Sequence, residues 1–176
     1  MLLADTSQVQ SWIHSMVDDL MSLGWSDFAF VGIVRGGDIL ARLLSEELLR
    51  RGLPEPPIHR IDITLYRDDL YSGLERPILT GTELPLSVDG LRLVLVDDVL
   101  FTGRTVRAAL QEVMDYGRPE WVRLAVLVDR GCRELPIQAD VVGQHLTASK
   151  HSKIQVRLHH PLFVDDGVYM DENGHD

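Results

Sequence analysis

Residues 97–105 read Asp-Asp-Val-Leu-Phe-Thr-Gly-Arg-Thr and directly follow the apolar run LRLVLV at 91–96. Asp97 and Asp98 are neighbouring carboxylates whose mutual repulsion costs stability unless something cationic or hydroxyl-rich lies between them. Thr102, Gly103, Arg104 and Thr105 then lead into a helical pattern, so backbone N–H groups and two hydroxyls converge on a helix N-terminus. That arrangement suits an anion such as a phosphate, and Gly103 permits close backbone approach or positive φ. The two carboxylates stand about one sugar ring from that anion site. Vicinal ribose hydroxyls would satisfy both, and a positive charge developing on the ring would be stabilised by them. The plain alternative is a strand end with solvated acids and a hydroxyl cap; the whole nine-residue run favours the sugar phosphate.

A second loop, GIVRGGDIL, sets Arg35 between a buried run and the glycines Gly36 and Gly37. A guanidinium beside exposed amides suits a diphosphate, although a glycine turn with a surface arginine has the same sequence. A third loop, DRGCREL, follows residue 128. No Walker motif, dinucleotide fingerprint or HExxH occurs. The histidines at 145, 151, 159, 160 and 175 lack a metal-ligand pattern, and His14, beside Ile13, reads as a structural residue.

These loops need elements to hold them. Val9, Trp12, Ile13, Met16, Val17 and Leu20 have helical spacing, with Thr6 or Ser7 as the expected cap and Gly24 as the stop. FAFVGIV (28–34), LRLVLV (91–96) and WVRLAVLVD (121–129) are continuous apolar runs of the kind found in buried parallel strands. DILARLLSEELLRRG and RTVRAALQEVMDYG are the helices after the first two, and IHRIDITLYR (58–67) is an alternating strand. Residues 67–83 read as a hairpin or flap. Short strands and loops fill the rest, without internal repeats or a linker. The order predicts one α/β domain over 1–176 with a mostly parallel sheet, in which ligands sit beyond the strand carboxyl ends.

Composition narrows the class. A chain of 176 residues, 45% hydrophobic and 25% charged, has the length and balance of a soluble globular domain. The single cysteine, Cys132, excludes an intrachain disulfide framework and a Cys-rich zinc site. With no secretory pattern and no membrane-length apolar run, the expected location is the cytoplasm. Net charge is −10, from 17 Lys plus Arg against 27 Asp plus Glu. Asp165, Asp166, Asp171, Glu172 and Asp176 carry half of it in an acidic tail, 164–176, leaving −10 + 5 = −5 elsewhere. That balance opposes indiscriminate nucleic-acid binding while leaving room for a local basic patch.

VLVDDVLFTGRT (94–105) resembles the phosphoribosyl-diphosphate (PRPP) binding motif of type I phosphoribosyltransferases. DITLYRDDL (62–70), GRPEWVRLAVLVDRG (117–131) and RELPIQAD (133–140) resemble the PyrR family, over roughly residues 8–158. That family joins pyr mRNA-binding transcriptional attenuation to uracil phosphoribosyltransferase activity. The resemblance implies a type I phosphoribosyltransferase fold with a small hood and a flexible flap, and conversion of uracil and PRPP to UMP and diphosphate with Mg²⁺. Asp97, Asp98 and Arg35 would be catalytic. Val34, Arg35 and Gly36 would hold the diphosphate, and Asp97 and Asp98 the ribose. Val99, Leu100 and Phe101 would belong to the PRPP- and UMP-binding residues as well, ahead of a 5′-phosphate loop of Thr102, Gly103, Arg104 and Thr105. Tyr66, Arg67, Asp68 and Asp69 would begin the flap, Asp129, Arg130 and Gly131 would border the base, and Arg133 would contact RNA. A homodimer or higher homo-oligomer is implied as well.

Two departures matter. The family places Thr before the diphosphate-loop Arg, where this chain has Val34. Its usual DRGHRELPIRAD…GKN becomes Cys132, Gln138 and Gln144 at the positions of His, Arg and Lys, with Arg133 retained. Two lost permanent charges weaken an RNA face, since each phosphate contact contributes about −0.9 to the salt slope; Lys150, His151 and Lys153 offset part of this. Two further readings therefore stand beside the enzyme: a UMP-sensing RNA-binding regulator with little catalysis, and a phosphoribosyltransferase for another base.

Overall fold

The computed structural model describes residues 1–63, 81–158 and 166–171. A short strand, β1 (Leu2–Ala4), leads into α1 (Thr6–Ser22). The cap is Asp5, one residue before the expected Thr6 or Ser7. Asp5 Oδ1 accepts the Gln8 N–H at 3.0 Å, and Gln8 Oε1 accepts the Asp5 N–H at 3.1 Å. This reciprocal box satisfies two donors that a hydroxyl at Thr6 could not reach together. Val9, Ile13, Met16, Val17 and Leu20 form the buried stripe, and Gly24, at φ +65°, lets the chain leave the helix.

The strands β2 (Phe28–Ile33), β3 (Ile58–Ile61), β4 (Arg92–Leu100), β5 (Trp121–Asp129) and β6 (Val141–His145) form one sheet in the order β3-β2-β4-β5-β6, every pair parallel. Helix α2 (Gly37–Arg50) packs with α1 on the face of Phe30, Val94, Val96 and Leu127. Helix α3 (Arg104–Asp115) packs Val106, Ala109 and Val113 on the other, against Val31, Leu93, Leu95 and Val126. With both faces covered, the central strands read as continuous apolar runs rather than alternating ones. The expected α/β architecture is therefore present. The chain runs from β2 out to β3 and returns to β4 on the opposite flank, so the order reverses between β2 and β4. A crevice opens at such a reversal, beyond the strand carboxyl ends.

Three boundaries differ from expectation. The alternating strand expected over 58–67 ends at Ile61, and 64–67 lie outside the described residues together with the flap residues Tyr66, Arg67, Asp68 and Asp69. Strand β4 runs four residues past Val96, through both aspartates. Its ladder to β2 stops at Gly32–Val96, but its ladder to β5 continues through Asp97–Val126, Val99–Val128 and Leu100–Asp129. Within the acidic stretch, β8 (Gly167–Asp171) is the middle strand of a small antiparallel sheet between β1 and β7 (Lys153–Arg157). Val168 is buried in the α1–α2 core together with Ala4 and Ile154, and this burial holds an acidic segment in place. Among the described residues, no helix is long and apolar enough to cross a membrane.

Candidate active site

Strand alternation decides what the aspartate pair does. Successive side chains start toward opposite faces, so the two carboxyls border different loops although they still meet through a hydrogen bond. Asp97 is buried on the α3 side, where it lines a cavity of about 330 Å³ with Phe101, Thr102, Gly103, Arg104 and Thr105. Asp98 turns toward the β2–α2 loop, so that a Cβ built on Gly36 would lie 2.5 Å from its Oδ2. The Asp98 N–H donates to Asp97 Oδ1 at 3.0 Å, which fixes the first carboxylate against its neighbour's backbone. Burial pushes the Asp98 carboxyl up to about 6; hydrogen bonds from Val99 N–H, Asp97 and its own backbone oppose the shift, and the Asp38 charge adds to it.

The turn between β4 and α3 is the loop, or cup, expected to hold a phosphate. Gly103 caps the helix at φ +92°, without a side-chain cap bond. The Thr102 hydroxyl accepts the Arg104 N–H at 3.3 Å, and the Gly103 carbonyl accepts the Arg107 N–H at 2.9 Å. Arg104 pairs with Glu134 at 2.9 Å, and Glu134 also meets Lys150 at 3.3 Å. The first-turn amides and the Thr105 hydroxyl form a cradle for one small anion.

The β2–α2 loop, expected to meet a diphosphate, leaves less backbone free than its glycines suggest. The Val34 N–H donates to Ile61 O at 2.9 Å, and the Gly36 N–H to Asp38 Oδ1 at 3.2 Å. The Val34–Arg35 peptide is cis. Arg35 is exposed and makes no ion pair among the described residues, so its guanidinium is the loop's available cation. Gly37 fits only as glycine: a Cβ there would lie 2.1 Å from the Val96 carbonyl. That contact presses the loop onto β4 just before the aspartates.

The third loop is mainly a buttress. Arg133 was expected to face RNA, yet it points inward. Its Nε donates to Ile137 O at 3.0 Å, its Nη1 to Phe101 O at 2.8 Å and Gly131 O at 3.1 Å, and its Nη2 to Asp129 Oδ2 at 2.5 Å. A strand-end loop leaves orphan carbonyls, and a five-donor guanidinium satisfies several at once. Arg130 is likewise buried: it donates to Ser152 O at 2.7 Å and Ser149 O at 2.6 Å, and stacks 4.0 Å above the Phe101 ring. Asp129 receives the Gly131 N–H at 2.9 Å. Burial alone would raise its carboxyl, but the hydrogen bonds from Arg133 and Gly131, with the Arg133 and His145 charges, hold it below the usual range. Asp129, Gly131, Cys132 and Arg133 also border an open cavity of about 520 Å³ with His145 and Thr147, at the carboxyl ends of β5 and β6. Asp38, which presses on Asp98 and lies 3.8 Å from Arg60, carried no signal in the sequence beyond its place after the glycines.

A five-stranded parallel sheet, with a glycine loop and an acidic strand end meeting at its switch point, gives the chain the fold of a phosphoribosyltransferase. The phosphoribosyl transferase domain family matches residues 6–161. Relatives named bifunctional protein PyrR from Halalkalibacterium halodurans and Listeria welshimeri are 49% identical over 145 residues and 46% identical over 153 residues. The first match covers 81% of each chain, the second 85% of this chain and 84% of the relative. A hypoxanthine phosphoribosyltransferase from Staphylococcus aureus superposes with a TM-score of 0.66 at 17% identity, over 86% of this chain and 79% of that one. The Trypanosoma cruzi enzyme with its product IMP gives 0.64 at 19%, over 86% and 82%; at these identities the likeness concerns the fold. The chain belongs to the PyrR family of phosphoribosyltransferases.

Proposed function

We propose that the chain converts uracil and PRPP to UMP and diphosphate. The carrying observation is the division of labour around the β2–β4 crevice, with Asp97 beside the phosphate cup and Asp98 against the Arg35 loop. In this reading the cup holds the 5′-phosphate, the carboxylates accept the ribose hydroxyls, and Arg35 meets the diphosphate. Uracil N1 bonds to C1′ as the bond from C1′ to diphosphate breaks, the bonding pair leaving with the diphosphate and the N1 proton being released. Positive charge grows on the sugar ring in between, and two nearby carboxylates stabilise it without moving.

Mg²⁺ fits as an ion that arrives with PRPP. The donor set here is a pair of aspartates, and among the described residues no cluster of three or more His, Cys, Asp or Glu forms a cage. Mg²⁺ characteristically takes one or two carboxylates plus substrate phosphate oxygens. When bound, it neutralises charge on the leaving diphosphate.

The family's second activity, binding of the pyr mRNA leader, extends this reading on family membership alone. Arg133 holds the phosphate cup and offers little to RNA, so the remaining cations near that face, Lys150 and Lys153, would carry the contact. The test is UMP formation from uracil, PRPP and Mg²⁺ with hypoxanthine, guanine and orotate as competing bases. Uracil turnover that collapses in Asp98→Asn supports the reading; preferred use of another base overturns it. Absence of turnover with retained UMP binding favours a nucleotide-sensing regulator.

A further inference from the structure

Helix α3 carries a carboxylic acid where its core stripe should be aliphatic. Glu112 is 4% exposed and shares the buried face with Ala108, Ala109 and Val113. Its Oε1 accepts the Thr82 hydroxyl, whose oxygen in turn accepts the Asp62 N–H at 3.1 Å. Its Oε2 is buried and has no hydrogen-bond partner among the described residues. Residues 82 and 83 are themselves fastened to the end of β3, because Arg60 and Glu83 exchange backbone hydrogen bonds at 2.8 and 3.3 Å. A continuous polar link thus runs from the end of β3 through Thr82 into the last turn of α3.

We propose that Glu112 is a positioning residue for phosphoribosyl transfer, setting through Thr82 the axial position of α3 and hence of the phosphate cup at its N-terminus. The proposal rests on the PRPP reading above. Apolar packing is non-directional, so Val106, Ala109 and Val113 press the helix onto the sheet without fixing its slide along its axis. A directional hydrogen bond fixes it. Glu112 lies eight residues, roughly 12 Å of helix, from Arg104 at the cup. The half-satisfied acid is also a poor choice for stability alone, since a buried unsatisfied oxygen is costly. Burial raises the Glu112 carboxyl, with the Asp62 and Asp115 charges adding to the shift and the Thr82 hydrogen bond opposing it.

The 5′-phosphate is remote from the reacting C1′ and is bound alike in ground and transition states. Loss of cup position should therefore weaken PRPP binding without slowing the chemical step. The experiment compares Glu112→Leu, Glu112→Gln and Thr82→Val in the full chain. It reads kcat, KM for PRPP and for uracil, and calorimetric binding of PRPP with Mg²⁺. The Leu and Val variants should each raise the KM and Kd for PRPP roughly tenfold, leaving kcat and the uracil KM within about twofold; Gln, which keeps the acceptor, should restore wild-type values. Unchanged PRPP binding in a folded Thr82→Val protein overturns the proposal, as does a Gln variant as weak as Leu or a fall in kcat alone. Should Glu112→Leu not fold, Thr82→Val decides. A wild-type protein that forms no UMP refutes the uracil reading, while its PRPP binding still tests the link.

Discussion

Replacing Asp98 with Asn should make the protein more stable at neutral pH while removing its activity. An ordinary aspartate titrates near 3.8, and burial against Gly36, with Asp38 nearby, raises Asp98 to about 6. The folded state then binds this proton more tightly than the unfolded state. The group's contribution is most favourable below about pH 3.8 and is lost as pH rises through about 6; above that, the chain carries the whole cost of a buried, ionised carboxylate. At about 1.4 kcal/mol per pH unit, the difference is about 3 kcal/mol at pH 7.5 and falls to about 0.5 kcal/mol at pH 4. Asn is isosteric, keeps the close fit to Gly36 and carries no charge, so it lacks that cost. Urea denaturation at the two pH values reads the effect directly, and for a chain of this size the gain at pH 7.5 corresponds to roughly 6 to 12 °C in Tm. Turnover should fall about a hundredfold or more, because in the proposed reaction the lost charge would face the sugar where positive charge develops. A variant no more stable than wild type at pH 7.5, or one stabilised equally at pH 4, would refute the reasoning.

The same titration shapes catalysis. The kcat/KM for PRPP should drop below about pH 6, as Asp98 takes up a proton, and this acid limb should be missing from the residual activity of Asp98→Asn. Gly37→Ala should lose about 3 kcal/mol or more in chemical denaturation, since its Cβ would sit 2.1 Å from a backbone carbonyl that cannot rotate away. Gly52→Ala, in open space at φ +75°, should lose only about 1 kcal/mol, from the left-handed backbone. Asp5→Ala should cost about 1 kcal/mol through the lost helix cap and leave kcat unchanged.

The elements most legible in the sequence are those whose signal is local. The runs at 28–34, 91–96 and 121–129 are predominantly apolar because both faces of the sheet are covered, and strands lie on all three. The Asp-Asp to Thr run is legible because the strand end, the turn and the helix start are built from consecutive residues. Asp5 was readable too, as an acid three residues before Gln8. Other features depend on partners distant in sequence. Strand β4 extends through its acidic residues because β5 continues beside it. Strand β8 exists because β1 and β7 flank it, although its own stretch reads as an acidic tail. Arg133 reads as an exposed cation in DRGCREL, and only the carbonyls of Phe101 and Ile137, brought close by the fold, turn it inward. Nothing local marks Glu112 either, since its environment comes from Thr82 and from the end of β3.

Adjacency in sequence is what makes the aspartate pair useful. One residue apart, the two acids meet through a side-chain hydrogen bond and still border two different loops. Asp97 meets the cup before α3, and Asp98 meets the glycine loop before α2. On the proposed reading, a ligand bridging the crevice would find both carboxylates on one rigid dipeptide held in a parallel ladder. The loops would then meet phosphate and diphosphate, while the strand supplies the charge between them. Acceptors that must stay fixed as charge develops on a sugar belong on the most rigid element, and cations that admit and release phosphates belong on loops.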